Sequence, residues 1–420
     1  MSIAYYANTP AQGRRVATEQ TAMIPPQIVG KSVDLLNPNV APFALFVHKT
    51  QKKAPVGDFT YYYHDDEHPI VTTKLTAVVA SGGTTWNVTT GHGTCITPNM
   101  ILFNKNNGVR AQVISVSSDA ITVLDNVDSG GAAAGSVGDE IEVLAPALAE
   151  GTNVMNMVST EPNKWTNYIQ NMQRPVIITK HGQNSDQYYG EKDEARQWKK
   201  AGIEFQQAMD RAMMFNGAPA LLTFSTQTLP SPPSGGKGGL TMGFEYFMKT
   251  YADADHYRTE TDLTEFEFLE LMEAAFQAEL GAGSDHKICL APRQFTTGML
   301  KWNLAKQRFW GAEKMAGAAG TVPGLRINRY ETTDGIVDFI RYNPFETKLA
   351  RNAGGWNYLA IIDTARIGYV PYKNMDTYIE RDVVQNGAQI IVGYYFASIG
   401  TVWHQPNTHV MCKFQTVSVA

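Results

Sequence analysis

The densest group of side chains able to hold a metal or move a proton is His64-Asp65-Asp66-Glu67-His68, two imidazoles and three carboxylates in one short run. A metal needs ligands that converge on one point. The segment before this run, Asp58-Phe59-Thr60-Tyr61-Tyr62-Tyr63, reads as a strand, where neighbouring side chains point to opposite faces, and Pro69 closes the run. Solvated charges at a strand terminus are therefore expected, and no metal site. Gly235-Gly236-Lys237-Gly238 has the outline of a phosphate-cradling loop, but no Ser or Thr follows the lysine and no apolar strand leads into it, so a linker is expected. Asp253-Ala254-Asp255-His256 lacks the glycine and the closing glutamate of a calcium loop. No Gly-x-Ser-x-Gly, His-Glu-x-x-His or Cys–His arrangement is present. The expectation is a chain without catalytic residues, cofactor or metal, and hence not an enzyme.

Aromatic residues say more. Tyr61, Tyr62 and Tyr63 in one strand point to both faces, and Trp165 and Tyr168 lie in or near its expected partner at 166–179. A thin hairpin cannot bury both faces by itself, so some of these rings need a further surface. An adjacent module folding back would supply one, and a second copy of the chain would supply another. The second copy is preferred, because the N-terminal segment makes the same demand. Tyr61, Tyr62, Tyr63, Trp165, Tyr168, Arg174 and Trp198 are the candidate subunit-interface residues.

The elements that position these residues are a strand and a rod. Asn171-Met172-Gln173-Arg174-Pro175-Val176-Ile177-Ile178-Thr179 is β-like, and a polar turn at His181-Gly182-Gln183-Asn184 follows. A helix is expected over about 191–216, close to 40 Å long at about 1.5 Å per residue. Ala195, Trp198, Gly202, Phe205, Met209 and Ala212 recur at steps of three and four and form its apolar stripe. Lys192, Glu194, Lys199, Gln206 and Asp210 make the face expected to be wet, and Gly217 with Pro219 stops the helix.

At 420 residues the chain should hold two or three sub-domains. Hydrophobic content of 43% and charged content of 18% describe an ordinary folded protein, and a net charge of -5 speaks against a dedicated nucleic-acid binder. Cys95, Cys289 and Cys412 are far apart and in no CxxC pair, which favours free thiols in a reducing compartment. The N-terminus has no charged leader with an apolar core, and no apolar run reaches the roughly 20 residues of a membrane helix. A soluble protein made inside the cell is expected, with no membrane partner.

Residues 1–48 are extended and broken by Pro10, Pro25, Pro26, Pro38 and Pro42, too poor in core residues to fold alone. From about 75 to 146, short β-like runs at 75–80, 85–89, 100–104, 109–116, 120–124 and 140–144 alternate with Gly-, Ser- and Asn-rich turns. That texture predicts a small all-β barrel or sandwich inserted into a longer loop. The stretch 229–239 reads as a flexible surface loop. Asp262-Leu263-Thr264-Glu265 then opens a capped helix whose buried face is expected at Leu263, Phe266, Leu269, Met272, Phe276 and Leu280. Ile288-Cys289-Leu290 is a buried strand, a helix starts at Pro292, and Met315-Ala316-Gly317-Ala318-Ala319-Gly320 is a small-residue loop. Further strands are expected at 325–331, 336–342, 358–362, 388–396 and 409–414.

This order of parts resembles the major capsid proteins of tailed bacteriophages with the Hong Kong 97-type fold. The resemblance is carried by Trp165-Thr166-Asn167-Tyr168-Ile169-Gln170, by Pro175-Val176-Ile177-Ile178-Thr179, and by the helix opening Lys192-Asp193-Glu194-Ala195-Arg196-Gln197. Asn386-Gly387-Ala388-Gln389-Ile390-Ile391-Val392-Gly393-Tyr394-Tyr395 completes it. It covers most of the chain outside 75–148. It implies an α+β capsid fold with an N-arm at 1–48, an extended loop at 49–73 and 149–185, and an inserted β domain at 74–148. The peripheral domain with its spine helix would be 186–230 and 370–420, and the axial domain 231–369. The implied function is self-assembly, as hexamers and pentamers, into an icosahedral shell around double-stranded DNA. Implied partners are copies of itself, a portal protein, a scaffold protein and a decoration protein. The implied location is the virion, after synthesis in the host cytoplasm. No charge-patterned helical segment precedes the arm, which implies a separate scaffold or a mature chain. Lys49, Lys52, Lys53 and Lys164 lie where some family members cross-link, but no motif marks a partner for them. A nanocompartment shell would use the same fold, and a tail or adhesion protein with a glycan-binding β module is the alternative from another class.

Overall fold

The computed structural model describes residues 43, 44, 47, 53–66, 72–80, 83–124, 135–148, 150, 161–180, 193–223, 237–277, 285–305, 327–331, 335–346, 355–383 and 390–418. Most of the 1–48 arm, Glu67 and His68, the 229–236 loop, the small-residue loop at 315–320 and the start of the long helix lie outside the described residues. The chain divides into two compact units, one of residues 62–165 and one of residues 1–61 with 166–420. A two-stranded ribbon of β1 (Thr60–Asp65) and β8 (Asn163–Tyr168) carries the chain from one unit into the other and back.

The 62–165 unit contains β2 (Thr72–Lys74), β3 (Thr85–Asn87), β4 (Met100–Asn104), β5 (Arg110–Ser117), β6 (Ala120–Leu124) and β7 (Glu140–Pro146). They pair in the order β2-β7-β4-β5-β6-β3. Leu75 bridges Val88 just beyond the two edge strands, so the sheet closes on itself as a small barrel. Closure removes the unpaired edges that would otherwise recruit other strands. Alternation fills the interior: Leu102, Ala111, Val113, Ile121, Val123 and Ile141 point inward with Leu75 and Trp86. Ile114 faces outward by alternation and is exposed, and a register shift between Val113 and Ser115 leaves Ser115 outside as well. The buried Asp139 carboxylate ties loops together, accepting from Asn104 (3.0 Å), Asn106 (2.8 Å) and the Ser136 N–H (2.9 Å). These donors, the Asn104 amide foremost, hold its carboxyl below the usual range.

The other unit opens with β9 (Gln170–Thr179), α1 (Asp193–Phe215), β10 (Ala220–Thr223), β11 (Lys237–Leu240) and α2 (Phe244–Tyr251). Next come β12 (Tyr257–Leu263), α3 (Glu265–Gln277), β13 (His286–Ala291), α4 (Arg293–Ala305), β14 (Ile327–Glu331) and β15 (Ile336–Arg341). It closes with β16 (Asn357–Asp363), β17 (Ile367–Pro371), β18 (Tyr378–Val383), β19 (Ile390–Trp403) and β20 (Val410–Val417).

Two sheets organise this unit. In the first, β17 and β18 share one flank of β19, and β9 takes the other flank, from Ile390↔Thr179 to Ile399↔Gln170. The sequence paired 58–66 with 166–179. Instead 163–168 partners β1, and 170–179 turns to the C-terminal strand. Ile169, fully buried, marks the change of partner, and its N–H still reaches Phe59 O at 2.8 Å. Pro175 fits β9 because no further described strand needs its missing N–H. Val176 and Ile178 of β9 pack with Trp198 and Ala201 of α1, and Tyr395 covers the cluster's edge.

The second sheet runs β12-β20-β16-β13-β15-β14, with β12/β20 and β13/β15 parallel. Phe268, Leu271 and Met272 of α3 and Phe295 and Trp302 of α4 bury themselves against it with Phe339, Ile361 and Phe414. The sequence placed Leu263 and Met272 correctly, since both are buried, but put Phe266 and Leu269 on the wrong face, and Leu280 lies outside the described residues. Phe266 is 70% exposed and Leu269 40%, while Phe268, Leu271, Met272, Ala274 and Ala275 are inside. Both phases offer apolar residues at helical spacing, and the smaller Ala274 and Ala275 give the closer approach that the sheet selects. The cap is also displaced by two residues. Thr264, not Asp262, caps α3: its Oγ1 accepts the Glu267 N–H at 3.3 Å, and Glu267 accepts the Thr264 N–H at 2.7 Å. Thr264→Ala should cost about 1 kcal/mol in denaturant unfolding, and Asp262→Ala close to nothing.

Three other expectations are corrected. Ala195, placed on the apolar stripe of α1, is exposed. Asp210, placed on its wet face, is 1% exposed, because the C-terminal half of α1 is covered on two sides. The end of the supposed flexible loop, Lys237–Leu240, is a strand paired with β10. Gly239 explains it: a Cβ there would meet Ile169 O at 2.2 Å, so only glycine allows the two backbones to meet. Gly239→Ala should destabilise this unit by ~3 kcal/mol, read by thermal or urea unfolding.

Candidate functional site

The near half of the ribbon is bolted to β19 by a buried polar knot. Tyr61 Oη donates to Thr401 O at 2.5 Å, and Asn167 Nδ2 donates to the same oxygen at 2.7 Å. The Asn167 Oδ1 accepts from the Met242 N–H (3.0 Å) and the Tyr168 N–H (2.8 Å). Thr401 Oγ1 donates to Met242 O at 2.7 Å, and Trp403 Nε1 donates to it at 2.9 Å. Every member is buried or nearly so, and a satisfied network of this kind fixes one geometry. It joins three segments far apart in sequence: the ribbon, the 241–242 turn and β19.

In the far half, Tyr63 stacks on Trp165 with ring centres 6.3 Å apart and planes 14° apart. Lys164 Nζ sits 3.8 Å over the Tyr62 ring, and Tyr62 is 55% exposed. Alternation accounts for the pattern: Tyr61, Tyr63 and Asp65 face inward while Tyr62 and His64 face out. Tyr61 and Tyr63 thus find cover within their own chain, so of the three rings expected to share the need for a further surface only Tyr62 stays exposed. Asp65, expected to be solvated, is buried by the same alternation. Among the described residues no three His, Cys, Asp or Glu side chains come together as a metal site.

Along α1, Trp198 is a core residue. Its ring meets Tyr395 edge-on at 5.4 Å, Arg381 lies over it at 5.1 Å, and Gly393 leaves it room. Tyr168 is half-buried beside Gly239. Arg174 on β9 pairs with Glu204 of α1, which Lys200 also approaches at 4.0 Å. Next to this pair an open cavity of about 410 Å³ runs between β9 and α1, lined by Gln170, Met172, Arg174, Phe205, Ala208 and Ala212. Of the seven candidate residues, Tyr61 and Asn167's neighbour Tyr168 meet at the knot, Tyr62, Tyr63 and Trp165 share the far ribbon, and Arg174 and Trp198 sit at α1.

Several titratable groups that depart from ordinary behaviour were invisible in the sequence, since nothing local marks a polar residue as buried. Lys287 on β13 is fully buried; its Nζ donates to Ala275 O and, at 2.7 Å, to Thr408 O. Burial pulls its ammonium down to about 8, with Asp363 opposing the fall. His409 accepts from the Asp363 N–H at Nδ1 (3.0 Å) and lies 3.2 Å from His404 O at Nε2, an arrangement that suits the neutral ring. Burial, helped by the Lys287 charge, pushes its imidazole down to about 3. Asp210 accepts the Ala44 N–H at 2.8 Å beside the Tyr342 hydroxyl, and burial lifts its carboxyl to about 6. Cys289 and Cys412 are buried and Cys95 is half-buried, all as free thiols. Lys287, His409, Asp210, Cys289 and Cys412 are packed inside the fold. Among the accessible features are the Tyr62 side of the ribbon, the Arg174 end of α1 and the cavity beside it.

A family model described as the SU10 major capsid protein matches residues 29–414. No curated protein matches the chain. Among solved structures, the capsid of an empty GTA particle is 10% identical, covers 97% of this chain and 100% of its own, and has a TM-score of 0.47. A structure from Mycobacterium phage Bobi is 9% identical over 97% of this chain and 100% of that one, at a TM-score of 0.42. The capsid of Myoviridae phage XM1 is 7% identical over 96% and 100%, at 0.43.

Proposed function

The chain belongs to the SU10 major capsid protein family, and on that premise we propose that it closes an icosahedral phage head from hexamers and pentamers, around double-stranded DNA. A tailed-phage major capsid protein self-assembles into a shell and works through contact area. The reading is carried by one observation: the match at 29–414 takes in nearly all of both compact units, so the whole body is capsid protein.

In this reading the fold is of the Hong Kong 97 type. The inserted module is 74–148 within the 62–165 unit, the peripheral domain is 186–230 and 370–420, and the axial domain is 231–369, into whose sheet β20 also pairs. Tyr62 and Arg174, whose side chains remain accessible, meet neighbouring copies, while Tyr61, Tyr63 and Trp198 are buried, each within its own unit. Large shells gain stability from many modest contacts repeated by symmetry. An inner face would meet DNA phosphates without reading sequence. The barrel module is placed outward, since a bulky module inside would compete with DNA for volume. A portal, a scaffold and a decoration protein complete the expected partners. The chain has no enzymatic role in this account and is made in the host cytoplasm. Among the described residues no helix is long and apolar enough to cross a membrane.

A reconstruction of particles formed by the expressed chain with its scaffold tests this. Closed shells with five- and sixfold capsomers, bearing 62–165 on the outside, are expected. Open sheets, or shells packed with protein cargo, would rule the reading out.

A further inference from the structure

Phe43, Ala44 and Val47 are helical and almost fully buried, at 3%, 0% and 1% exposure. They are held from two sides. The Phe43 ring stacks on Trp403, with centres 6.2 Å apart and planes 14° apart, and helps enclose a void of about 10 Å³ with Ile288, Ile340 and Ile362. The Ala44 N–H donates to Asp210 Oδ1 at 2.8 Å, so a carboxylate of α1 grips the first turn of this segment.

The seat does not depend on the segment that fills it. Trp403 is fixed from beneath by its bond to Met242 O (2.9 Å) and by the Phe244 ring at 5.2 Å. Ile288, Ile340 and Ile362 belong to the sheet through β13, β15 and β16, whose pairing involves nothing before residue 286. Removing the segment would therefore bare a preformed apolar seat and a buried carboxylate while leaving the sheet standing. Sub-global opening of such a unit costs less than global unfolding.

We propose that Phe43, Ala44 and Val47 form a detachable plug, seated by Asp210 and Trp403, which can leave without unfolding the body. Seating needs one hydrogen-bond acceptor at 210 and one ring at 43. Charge at 210 is not required, because a neutral carboxamide oxygen accepts the same N–H. The plug thus has a defined grip that substitution can keep or remove.

Hydrogen exchange on the purified full-length chain tests this, comparing a peptide spanning 43–47 with peptides from β13 and β16. In the native protein, 43–47 should exchange at least tenfold faster than β16, a difference of about 1.4 kcal/mol. Asp210→Asn should keep its protection within about threefold, and Asp210→Ala and Phe43→Ala should each lose about tenfold there with β13 and β16 unchanged. Two results would overturn the proposal. One is exchange at 43–47 that matches β16 in the native chain; the other is an Asp210→Ala or Phe43→Ala variant that leaves 43–47 unaltered or loosens β16 equally. Asp210→Asn guards against misfolding as the cause, since it preserves the shape of the site.

Discussion

Asn167→Ala should remove about 3 kcal/mol from the subunit, and most of the assembled particles with it. The amide serves two sides of the knot at once, giving to Thr401 O at 2.7 Å and taking from the Met242 N–H at 3.0 Å. Alanine leaves the Met242 N–H buried without an acceptor, and an unpaired buried donor costs about 1–3 kcal/mol before the cavity is counted. Tyr61 still reaches Thr401 O, so the carbonyl itself stays satisfied. The loss therefore falls on the turn at 241–242 and on the angle at which the ribbon leaves β19. Asn167→Asp is a sharper probe. It keeps the acceptor for Met242 but faces Thr401 O with an oxygen, so it should lose nearly as much. Urea unfolding gives the free energy, and sedimentation of assembly reactions gives the particle yield. An alanine variant as stable as the parent would show the knot to be incidental.

The pH dependence should come from two buried groups pulling in opposite directions. His409 has its pKa lowered from 6.5 to about 3, so the unfolded chain takes the proton first. Its contribution is complete above about pH 6.5 and is lost as pH falls toward 3, by about 2 kcal/mol between pH 7 and 5. His256, whose pKa burial also lowers, adds to that loss. Asp210 has its pKa raised from 3.8 to about 6, so the folded chain takes the proton first. That group favours the fold as pH falls from about 6 toward 4, returning about 1 kcal/mol between pH 7 and 5. The native chain should thus show a shallow acid loss. Asp210→Asn should steepen it by about 1 kcal/mol, and His409→Gln should shrink or reverse it by about 2 kcal/mol. Urea midpoints at pH 7 and 5 decide the matter. Equal pH slopes in all three proteins would contradict it.

How much could be seen in advance varied with the kind of signal. The barrel's strands were legible because Leu102, Val113, Ile121, Val123 and Ile141 alternate with turn residues at short intervals, and alternation is local. The rod at α1 was legible for the same reason, through Trp198, Phe205 and Met209. Asp210 was misjudged because its cover, Ala44 and Tyr342, comes from positions far away in the chain. In α3 the apolar residues satisfied two phases, and only the sheet beneath chose between them. β17 was missed although all five of its residues are buried, since Gly368 and Pro371 make Ile367–Pro371 look like a turn. Metal-capable and tyrosine-rich runs drew attention by composition, yet strand alternation had already decided which of their members face inward. The knot at Asn167 and Thr401 had no local signature at all, because it is written across residues more than two hundred positions apart.

The most direct measurement is the mass in solution of the purified chain, by light scattering, as its concentration is raised with scaffold protein present. A subunit built for a shell should pass from small oligomers to closed particles of one narrow size, and the Asn167→Ala variant should not. A chain that remains a single copy at every concentration, with or without scaffold, would contradict the account.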